Sequence, residues 1–550
     1  MRGVRLCTAC MLLTSGFVPA ARADDVAESS PMPACPGEGV RENGTARIGS
    51  VTVRDLPIFD PADPGEGKAL YRLADRLHVD TRDSVIESQL LFHQGDPFAC
   101  RSLEETERNL RQLRFIREPE IRIVGYHDDL VDVEVTARDV WTTNPGISFG
   151  RSGGSNSASI ELEELNLFGR GKHLAFDYSS DVDRSSSALT WRDPSVLGSR
   201  WRDEVVLRES DDGSGQSLVI ERPFYSLDAR WSAGLALAQD DTIEHVYRLG
   251  ERTAGYGQNT EAAELQFGRS RGLRDGWTRR VTAGLRHDRA AFEFAPGEIN
   301  PAALPENRDL AYPFIRIEGV QDDFETARNR DQISRTEDLQ FGLRYALELG
   351  WSDPAFGSDR GAVLLRAEAG RGFRLGEKRS LFVHSSIGGR IENQSVADGL
   401  LTGGMRFYRE TGPRSTLFAA LNAEFGHALD SDHELSIGGD SGLRGYPLRY
   451  QAGSGRALLT LEHRIYTNWS LWKLADIGGA VFFDAGQSWG ESAFGPTENL
   501  GLLKDVGVGL RFGSTRSALG NVLHVDLAFP LDGPSSIDSL QLLIQTKRSF

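Results

Sequence analysis

The sequence predicts a mainly β protein in which a small α/β domain precedes a transmembrane antiparallel β-barrel. Three observations predict this fold class. Residues 1–23 have the composition of an export signal, and residues 46–138 mix helical with strand periodicity. From residue 140 to the terminal Phe550, short runs alternate apolar and polar residues between turn-forming clusters, as strands with one apolar face do.

The export signal is read from the first residues. Arg2 and Arg5 form a basic start, an apolar stretch follows, and Ala21-Arg22-Ala23 has the small-x-small pattern that signal peptidase reads. A lipoprotein signal at Cys10 is disfavoured, because almost no apolar stretch precedes that cysteine. We therefore expect residues 1–23 to be removed and residues 24–45, rich in Pro, Gly, Ser and acid, to form a flexible leader.

Composition excludes some partners without giving a function. Asp and Glu outnumber Lys and Arg by 79 to 62, and removing the three arginines of the signal lowers the net charge from −17 to −20. This balance argues against nucleic acid or anionic phospholipid as a partner. The mean hydropathy is −0.35, which is typical of a soluble protein. Outer-membrane barrels also have such values, because only alternate residues of each strand face lipid.

The cysteines and histidines predict no metal site or cofactor. Cys35 and Cys100 remain after signal removal, and in an oxidising compartment they form a disulfide or stay as two free thiols. The mature chain has no C-x-x-C and no H-E-x-x-H pattern. Gly439-Asp440-Ser441-Gly442 spells the nucleophile segment of trypsin-like proteases, but the surroundings of the required His are missing. We therefore expect a protein that is not an enzyme.

Residues 46–138 have the pattern of a compact α/β domain. A first helix is expected where Ile86 and Leu90 lie one turn apart, and Ser102 to Glu105 reads as a capping box that starts a second helix. Leu103, Thr106, Leu110 and Leu113 then share one face of that helix. Three strands complete the domain, in the order strand, helix, helix, strand, strand: Arg47–Arg54, Glu120–Val124 and Leu130–Ala137.

Residues 140–550 have the pattern of the barrel, most clearly near the end of the chain. Val506, Val508 and Leu510 share one face of a strand, and Arg511 lies on the other. A soluble β-sandwich would also bury such a face, but the polar faces rich in Arg, Glu, Asp and Gln favour a lumen, and Phe550 is a typical outer-membrane assembly signal. The length favours about sixteen strands and allows up to about twenty.

Two motifs carry a family resemblance. Gly442-Leu443-Arg444-Gly445-Tyr446 lies in a glycine-rich loop, and Phe482, Asp484 and Gly486 form an F-x-D-x-G segment on the second strand after it. Both resemble the outer-membrane protein assembly and transport barrels, a superfamily that includes BamA/TamA-type proteins, bacterial surface antigens and two-partner secretion transporters. Five strands are predicted to follow the loop, as the resemblance requires.

The N-terminal domain resembles the polypeptide-transport-associated (POTRA) modules of the same superfamily. Its element order is the same, and Gly95-Asp96-Pro97-Phe98 resembles the segment between their two helices. The resemblance implies an outer-membrane barrel with this domain in the periplasm, unfolded or exported polypeptides as clients, and periplasmic chaperones or lipoproteins as further partners. The chain has room for one such module where relatives carry several, which leaves the client open.

Strand periodicity gives the motifs a physical meaning. Phe482, Asp484 and Gly486 share the lumen face of their strand, so an inward-folded loop could bring Arg444 to Asp484 and lock there. Glu462 and Arg464 lie on the lumen face of a neighbouring strand and could join this network. The alternative is that these charges are separately solvated in a wet barrel.

The resulting hypothesis is insertion of β-barrel proteins into the outer membrane, or translocation of polypeptides across it. The first strand, near Gly146–Arg151, would close against Leu540–Phe550, and this lateral seam would open to a client strand. The main alternative is a passive, porin-like channel for small solutes, and a third is a structural or adhesive surface barrel.

Overall fold

The computed structural model describes residues 46–59, 76, 78–495, 500–517 and 522–547. The predicted export signal and leader, Cys35 and Phe550 lie outside these residues. Cys100 is bonded in a disulfide.

The N-terminal module has the predicted element order around one sheet. In the sheet order β1-β3-β2, the central strand β3 is parallel to β1 and antiparallel to β2. Ile48, Ile86, Leu110 and Val133 are fully buried between this sheet and the helices. The assignment of the module to the POTRA type remains a prediction. Its elements are β1 Arg47–Leu56, α1 Asp83–Glu87, α2 Cys100–Arg111, β2 Ile116–His127 and β3 Leu130–Asp139.

Two helix predictions need correction. Helix α1 ends at Glu87, although Leu90 beyond it is still buried in the core. The capping box at Ser102 is wrong, because α2 begins at Cys100 after Ala99, which has an extended backbone and no side-chain cap. Ser102 lies inside the first turn, where its carbonyl accepts a hydrogen bond from the Thr106 hydroxyl at 2.6 Å.

The mainly β fold class is confirmed. Within the described residues, twenty antiparallel strands form a closed barrel, in which all consecutive barrel strands are neighbours and β27 closes on β4. In chain order the remaining strands are β4 Thr143–Ser152, β5 Ser155–Leu167, β6 Lys172–Ser180, β7 Ser185–Asp193, β8 Arg202–Ser210, β9 Gly213–Arg222, β10 Trp231–Arg248, β11 Glu251–Arg274, β12 Trp277–Phe294, β13 Arg308–Gln321, β14 Phe324–Arg328, β15 Thr336–Gln340, β16 Arg344–Ser352, β17 Ala362–Arg374, β18 Arg379–Glu392, β19 Ser395–Gly412, β20 Ser415–His427, β21 Leu435–Ile437, β22 Gln451–Gly453, β23 Gly455–Leu471, β24 Ala475–Trp489, β25 Leu503–Ser514, β26 Val522–Pro530 and β27 Gln541–Lys547.

The strand count is the upper value that the sequence allowed, and the favoured sixteen is wrong. Tight turns join most strands in the first half of the barrel, such as Gly153-Gly154 between β4 and β5, so less of the chain lies in loops than sixteen strands would require.

The wall has two chemically different faces. On β24, Val481 keeps 55% of its surface exposed on the outer face, whereas Phe482 and Asp484 are buried on the inner face. Leu285 and Ile315 are likewise exposed outward on β12 and β13. No helix in the described ranges is long and apolar enough to cross a membrane.

Two segments enter the lumen from opposite ends. The hairpin β14–β15 connects β13 to β16 at the end that carries the N-terminal module, the module end. The loop between β20 and β23, which contains the short pair β21–β22, enters from the opposite, distal end. This second segment carries the glycine-rich motif.

Candidate functional site

The glycine-rich loop is buried inside the barrel. Leu443 and Tyr446 are fully buried, and Arg444 between them keeps 4% of its surface exposed. The two apolar residues pack with Ile437, Tyr450 and Leu503, and the Tyr446 hydroxyl donates to the Lys504 carbonyl at 2.8 Å. Arg444 is therefore held from both sides by anchored neighbours.

The structure brings Arg444 and Asp484 together. Arg444 Nε donates to Asp484 Oδ2 at 2.7 Å, and Nη2 donates to Oδ1 at 3.0 Å. The remaining nitrogen, Nη1, donates to Glu462 Oε1 at 2.9 Å. The guanidinium carbon lies 3.4 Å from the centre of the Phe482 ring, which adds a cation–π contact. The two-bond geometry makes this contact directional as well as strong.

Glycines let the loop approach the wall. Gly442 has a φ of +107°, which favours glycine over other residues. A Cβ on Gly445 would lie 2.6 Å from Asp505 Cβ, and a Cβ on Gly486 would lie 2.5 Å from Ile437 Cδ1. The glycine of the F-x-D-x-G segment thus leaves space for a loop side chain on the lumen face.

The network extends to neighbouring strands. Glu462 and Arg464 are both part of it, with Arg464 Nε donating to Glu462 Oε2 at 2.9 Å. Arg511 pairs with Asp526, and Asp505 Oδ2 accepts the Gly445 N–H at 2.9 Å. The alternation along β25 predicted that Arg511 lies opposite the apolar face, but it did not connect Arg511 or its partner Asp526 to the loop. The alternation of residues along each strand shows which side chains face the lumen. It does not give the distances between side chains on different strands.

The charges in this network nearly balance. Buried ions are costly unless they are paired, so a buried cluster is stable only as a set. Guanidinium groups stay protonated, so the arrangement can hold the loop in place through ion pairs. The cluster contains three arginines and four carboxylates: Arg444, Arg464, Arg511, Glu462, Asp484, Asp505 and Asp526.

The same loop reaches the junction between the first and last strands. Gly439 packs against Gly153 in the turn after β4, where a Cβ on Gly439 would lie 2.8 Å from the Gly153 nitrogen. On the other side of the junction, the loop contacts β24 and β25 through Arg444 and Gly445. In the described residues of the β4–β27 junction, Ile544 is aligned with Arg151 and no other pair is aligned.

One group in the described residues has the spacing of metal ligands. His78, Asp80 and Asp139 have ligand atoms within 4.8 Å of one another. Both oxygens of Asp139 already accept hydrogen bonds from Thr81, at 2.5 Å from its hydroxyl and 2.8 Å from its backbone nitrogen. The Asp139 carboxylate therefore has a structural role, because its hydrogen bonds join the end of β3 to the segment before α1.

Two curated sequences are similar to part of the chain. A putative outer membrane protein assembly factor from Treponema pallidum is 28% identical over 183 residues, and the outer membrane protein assembly factor BamA from Nitratidesulfovibrio vulgaris is 24% identical over 191 residues. Over about a third of its length the chain is similar to outer-membrane protein assembly factors of the BamA type. The outer membrane is its location.

The BamA-like matches cover part of each protein. They include 30% and 34% of this chain, and the chain spans about a fifth of the relatives, 21% and 22%. No protein-family model matches the chain.

Two solved structures are similar to the chain at low identity. BamA from Haemophilus ducreyi, solved without POTRA domains 1–3, has a TM-score of 0.38 and 13% identity, with 91% of this chain and 84% of that chain covered. CdiB from Escherichia coli has a TM-score of 0.46 and 14% identity, with 92% and 77% covered. The BamA-like assignment rests on the sequence matches and not on these scores.

Proposed function

We propose that this BamA-like barrel inserts β-barrel proteins into the outer membrane or moves polypeptides across it, with the β4–β27 junction as its opening. The observation that carries this proposal is that, among the described residues, only Ile544 and Arg151 are aligned at that junction. The adjoining strands β26 and β27 align over seven pairs, from Val522 with Lys547 to Ala528 with Gln541. Within the described part of the wall, the β4–β27 junction therefore has the fewest aligned pairs.

A weak seam offers edges to a client. Among the described residues of Thr143–Ser152 and Gln541–Lys547, one pair is aligned across the junction, and the other facing positions are not aligned. Unpaired backbone N–H and C=O groups at an edge are a template for another strand. A client strand that pairs there would gain main-chain hydrogen bonds, whatever its sequence, while its side chains alternate between lipid and lumen.

The loop is placed to control this seam. It contacts the turn after β4 through Gly439 and is held to β24 through Arg444 and Asp484. At the module end, the Trp141 N–H donates to the Arg516 carbonyl at 2.8 Å, which links the segment before β4 to the segment after β25. We propose that opening requires release of the loop contact, the module-end contact, or both.

A passive channel fits these contacts less well. A porin-like pathway would need an open lumen, whereas this lumen contains a loop that is held to β23 and β24 by the buried Arg444. In the proposed role, the loop in the lumen acts as a lock, and polypeptides pass or insert at the β4–β27 junction. No catalytic step is required.

Depletion of the protein followed by measurement of the outer-membrane proteome tests the proposal. Loss of particular β-barrel or secreted proteins is expected, and loss of a nutrient alone would support the porin-like alternative. Wild-type protein should restore those proteins, and the disulfide variant Arg151→Cys/Ile544→Cys should restore them only under reducing conditions.

A matched staple controls for the added cysteines. Leu527 and Leu542 are aligned on β26 and β27, beside the seam, so Leu527→Cys/Leu542→Cys should restore the proteome in either redox condition. Full restoration by the oxidised seam staple would refute opening at β4–β27.

A further inference from the structure

The hairpin that enters the lumen from the module end contains neither of the two family motifs. Residues 322–343 leave the wall after β13 and return to it at β16. Strands β14 and β15 pair with each other and not with the barrel. Their connecting tip, residues 329–335, lies among luminal side chains of the wall.

The tip has a defined internal structure. The Glu337 carboxylate accepts the backbone N–H groups of Arg330 and Asp331, each at 2.9 Å, and that of Gln332 at 3.2 Å. The Ser334 N–H donates to Asn329 Oδ1 at 2.9 Å. Four backbone donors are thus satisfied within the hairpin, so the tip is folded before any contact with the wall is counted.

The tip also fits the wall. Ile333 is 2% exposed and packs against Tyr466, Ala480 and Val522. The Tyr408 hydroxyl donates to Asp331 Oδ1 at 2.8 Å. The hairpin leaves the wall between β13 and β16, and its tip contacts β19, β23, β24 and β26, so the segment spans part of the lumen at the module end.

The base of the hairpin binds the N-terminal module. Arg111 of α2 donates to both oxygens of Asp338, from Nε at 2.9 Å and from Nη2 at 2.6 Å. The Arg108 guanidinium lies 3.8 Å from the centre of the Phe324 ring. Helix α2 thus contacts both strands of the hairpin.

A path of direct contacts joins the hairpin to the loop. Arg464 Nη1 donates to the Arg330 carbonyl at 2.6 Å, while Arg464 Nε bonds Glu462. The other oxygen of Glu462 accepts from Arg444. The two luminal segments therefore meet through one arginine and one glutamate of β23.

We propose that residues 322–343 form a plug that closes the module end of the lumen, and that the N-terminal module holds the plug in place through Arg111 and Asp338. Movement of the module would withdraw this pair and free the tip. The Arg464 contact would then also change the support of Glu462 beneath the loop. This inference concerns access to the lumen and does not depend on any polypeptide client.

Thiol access to the lumen tests the plug. Ser386 borders a luminal cavity of about 480 Å³ between β13 and β19, so Ser386→Cys provides a reporter in the full-length protein. The probe is a membrane-impermeant maleimide, and its labelling rate is measured in detergent and in proteoliposomes. Slow labelling is expected in the otherwise wild-type chain. Fast labelling there would show that the lumen is open and would overturn the plug.

Variants at two positions test separately whether the hairpin closes the lumen and whether the N-terminal module holds the hairpin in place. Ile333→Asp should raise the labelling rate by destroying the apolar seat of the tip, and Ile333→Ala replaces it if the first variant does not fold. Arg111→Ala should raise the rate about 5- to 150-fold, the usual range for coupling between two sites. Its matched control is Arg101→Ala, because Arg101 pairs with Asp228 of a barrel turn and not with the hairpin.

The outcomes are distinct. Wild-type rates in both Ile333 variants, with heat-modifiable mobility on gels showing folded barrels, would refute the plug. A raised rate in the Ile333 variants together with equal rates for Arg111→Ala and Arg101→Ala would refute control by the module. Because no client enters this assay, neither result depends on whether the protein handles polypeptides.

Discussion

Asp484 and Asp505 are aligned partners on β24 and β25, and both carboxylates are fully buried. They are satisfied differently by the same loop. Asp484 receives two hydrogen bonds from the Arg444 guanidinium, whereas Asp505 receives the Gly445 backbone N–H. The two neighbouring acids are therefore not equivalent, because Asp484 is paired with the Arg444 cation and Asp505 accepts from the backbone.

The first prediction follows from this difference. Asp484→Asn should loosen the loop, because it removes the charge that the buried Arg444 needs, at a cost of about 3–5 kcal/mol. Asp505→Asn keeps an acceptor for Gly445 and removes a neighbouring like charge, so its stability should be unchanged or higher. The measurement is the temperature at which the folded barrel loses its heat-modifiable mobility. Equal losses in both variants would contradict the assignment.

The second prediction concerns the arginine itself. Arg444→Ala should release the loop, because Asp484 and Glu462 are then left buried without their guanidinium partner. Arg444→Lys should be intermediate, since an ammonium keeps the charge but cannot make the planar two-bond contact. Limited proteolysis within residues 428–454 measures the release. Resistance equal to wild type in Arg444→Ala would exclude a lock at this residue.

The third prediction concerns the glycine beside Ile437. Gly486→Ala should cost about 1–3 kcal/mol, because the new methyl group would meet Ile437 Cδ1. Gly479→Ala on the same strand is the control, since its Cβ would make an ordinary contact 3.4 Å from the Gly509 carbonyl. Ile437→Val removes the opposing methyl group and should rescue Gly486→Ala. Failure of that rescue in thermal unfolding would place the strain elsewhere.

The fourth prediction concerns pH and the N-terminal module. Burial, together with the neighbouring Asp139, raises the pKa of Asp55 from its usual 3.8 to about 8. The folded module thus keeps this proton up to about pH 8, whereas the unfolded chain loses it near pH 4. The stabilising contribution is complete below about pH 4 and is lost as the pH rises to about 8. Hydrogen-exchange protection of β1 in the full-length protein should therefore fall between pH 5 and pH 8.

Two variants check this pH dependence. Asp55→Asn resembles the protonated side chain and should flatten the pH profile of β1 protection. Asp132→Asn is the control, because a hydrogen bond from Ser50 lowers the pKa of Asp132, whose contribution is lost only at acidic pH. An unchanged slope in Asp55→Asn would assign the titration to another group.

The sequence predicted the orientation of strand residues best where the lipid bilayer and side-chain packing allow one orientation. Val506, Val508 and Leu510 had to share a face, because lipid covers one side of β25, and the observed strand shows this alternation. The same parity placed Asp484 inward, and the family resemblance suggested its contact with Arg444. Strand number was harder, because a tight turn and a long loop can follow similar alternating runs.

The plug could not be predicted from local sequence patterns. Phe324–Arg328 and Thr336–Gln340 are strands, but their sequence does not distinguish a hairpin inside a barrel from a pair of strands in its wall. The difference is made by distant partners, such as Arg111 for Asp338 and Tyr466 for Ile333. Those contacts depend on where the ring places its inner side chains, which periodicity along one strand does not contain.

Closure of the ring between β4 and β27 also bears on the order of assembly of the protein itself. The tip of the hairpin and the glycine-rich loop both lie inside the ring that this junction completes. Each reaches its place most easily while the sheet is still an open, curved ribbon, because a finished ring admits a folded hairpin only through its mouth. Ring closure is therefore expected to be the last step of folding, and premature pairing of the chain's ends would yield an empty cylinder.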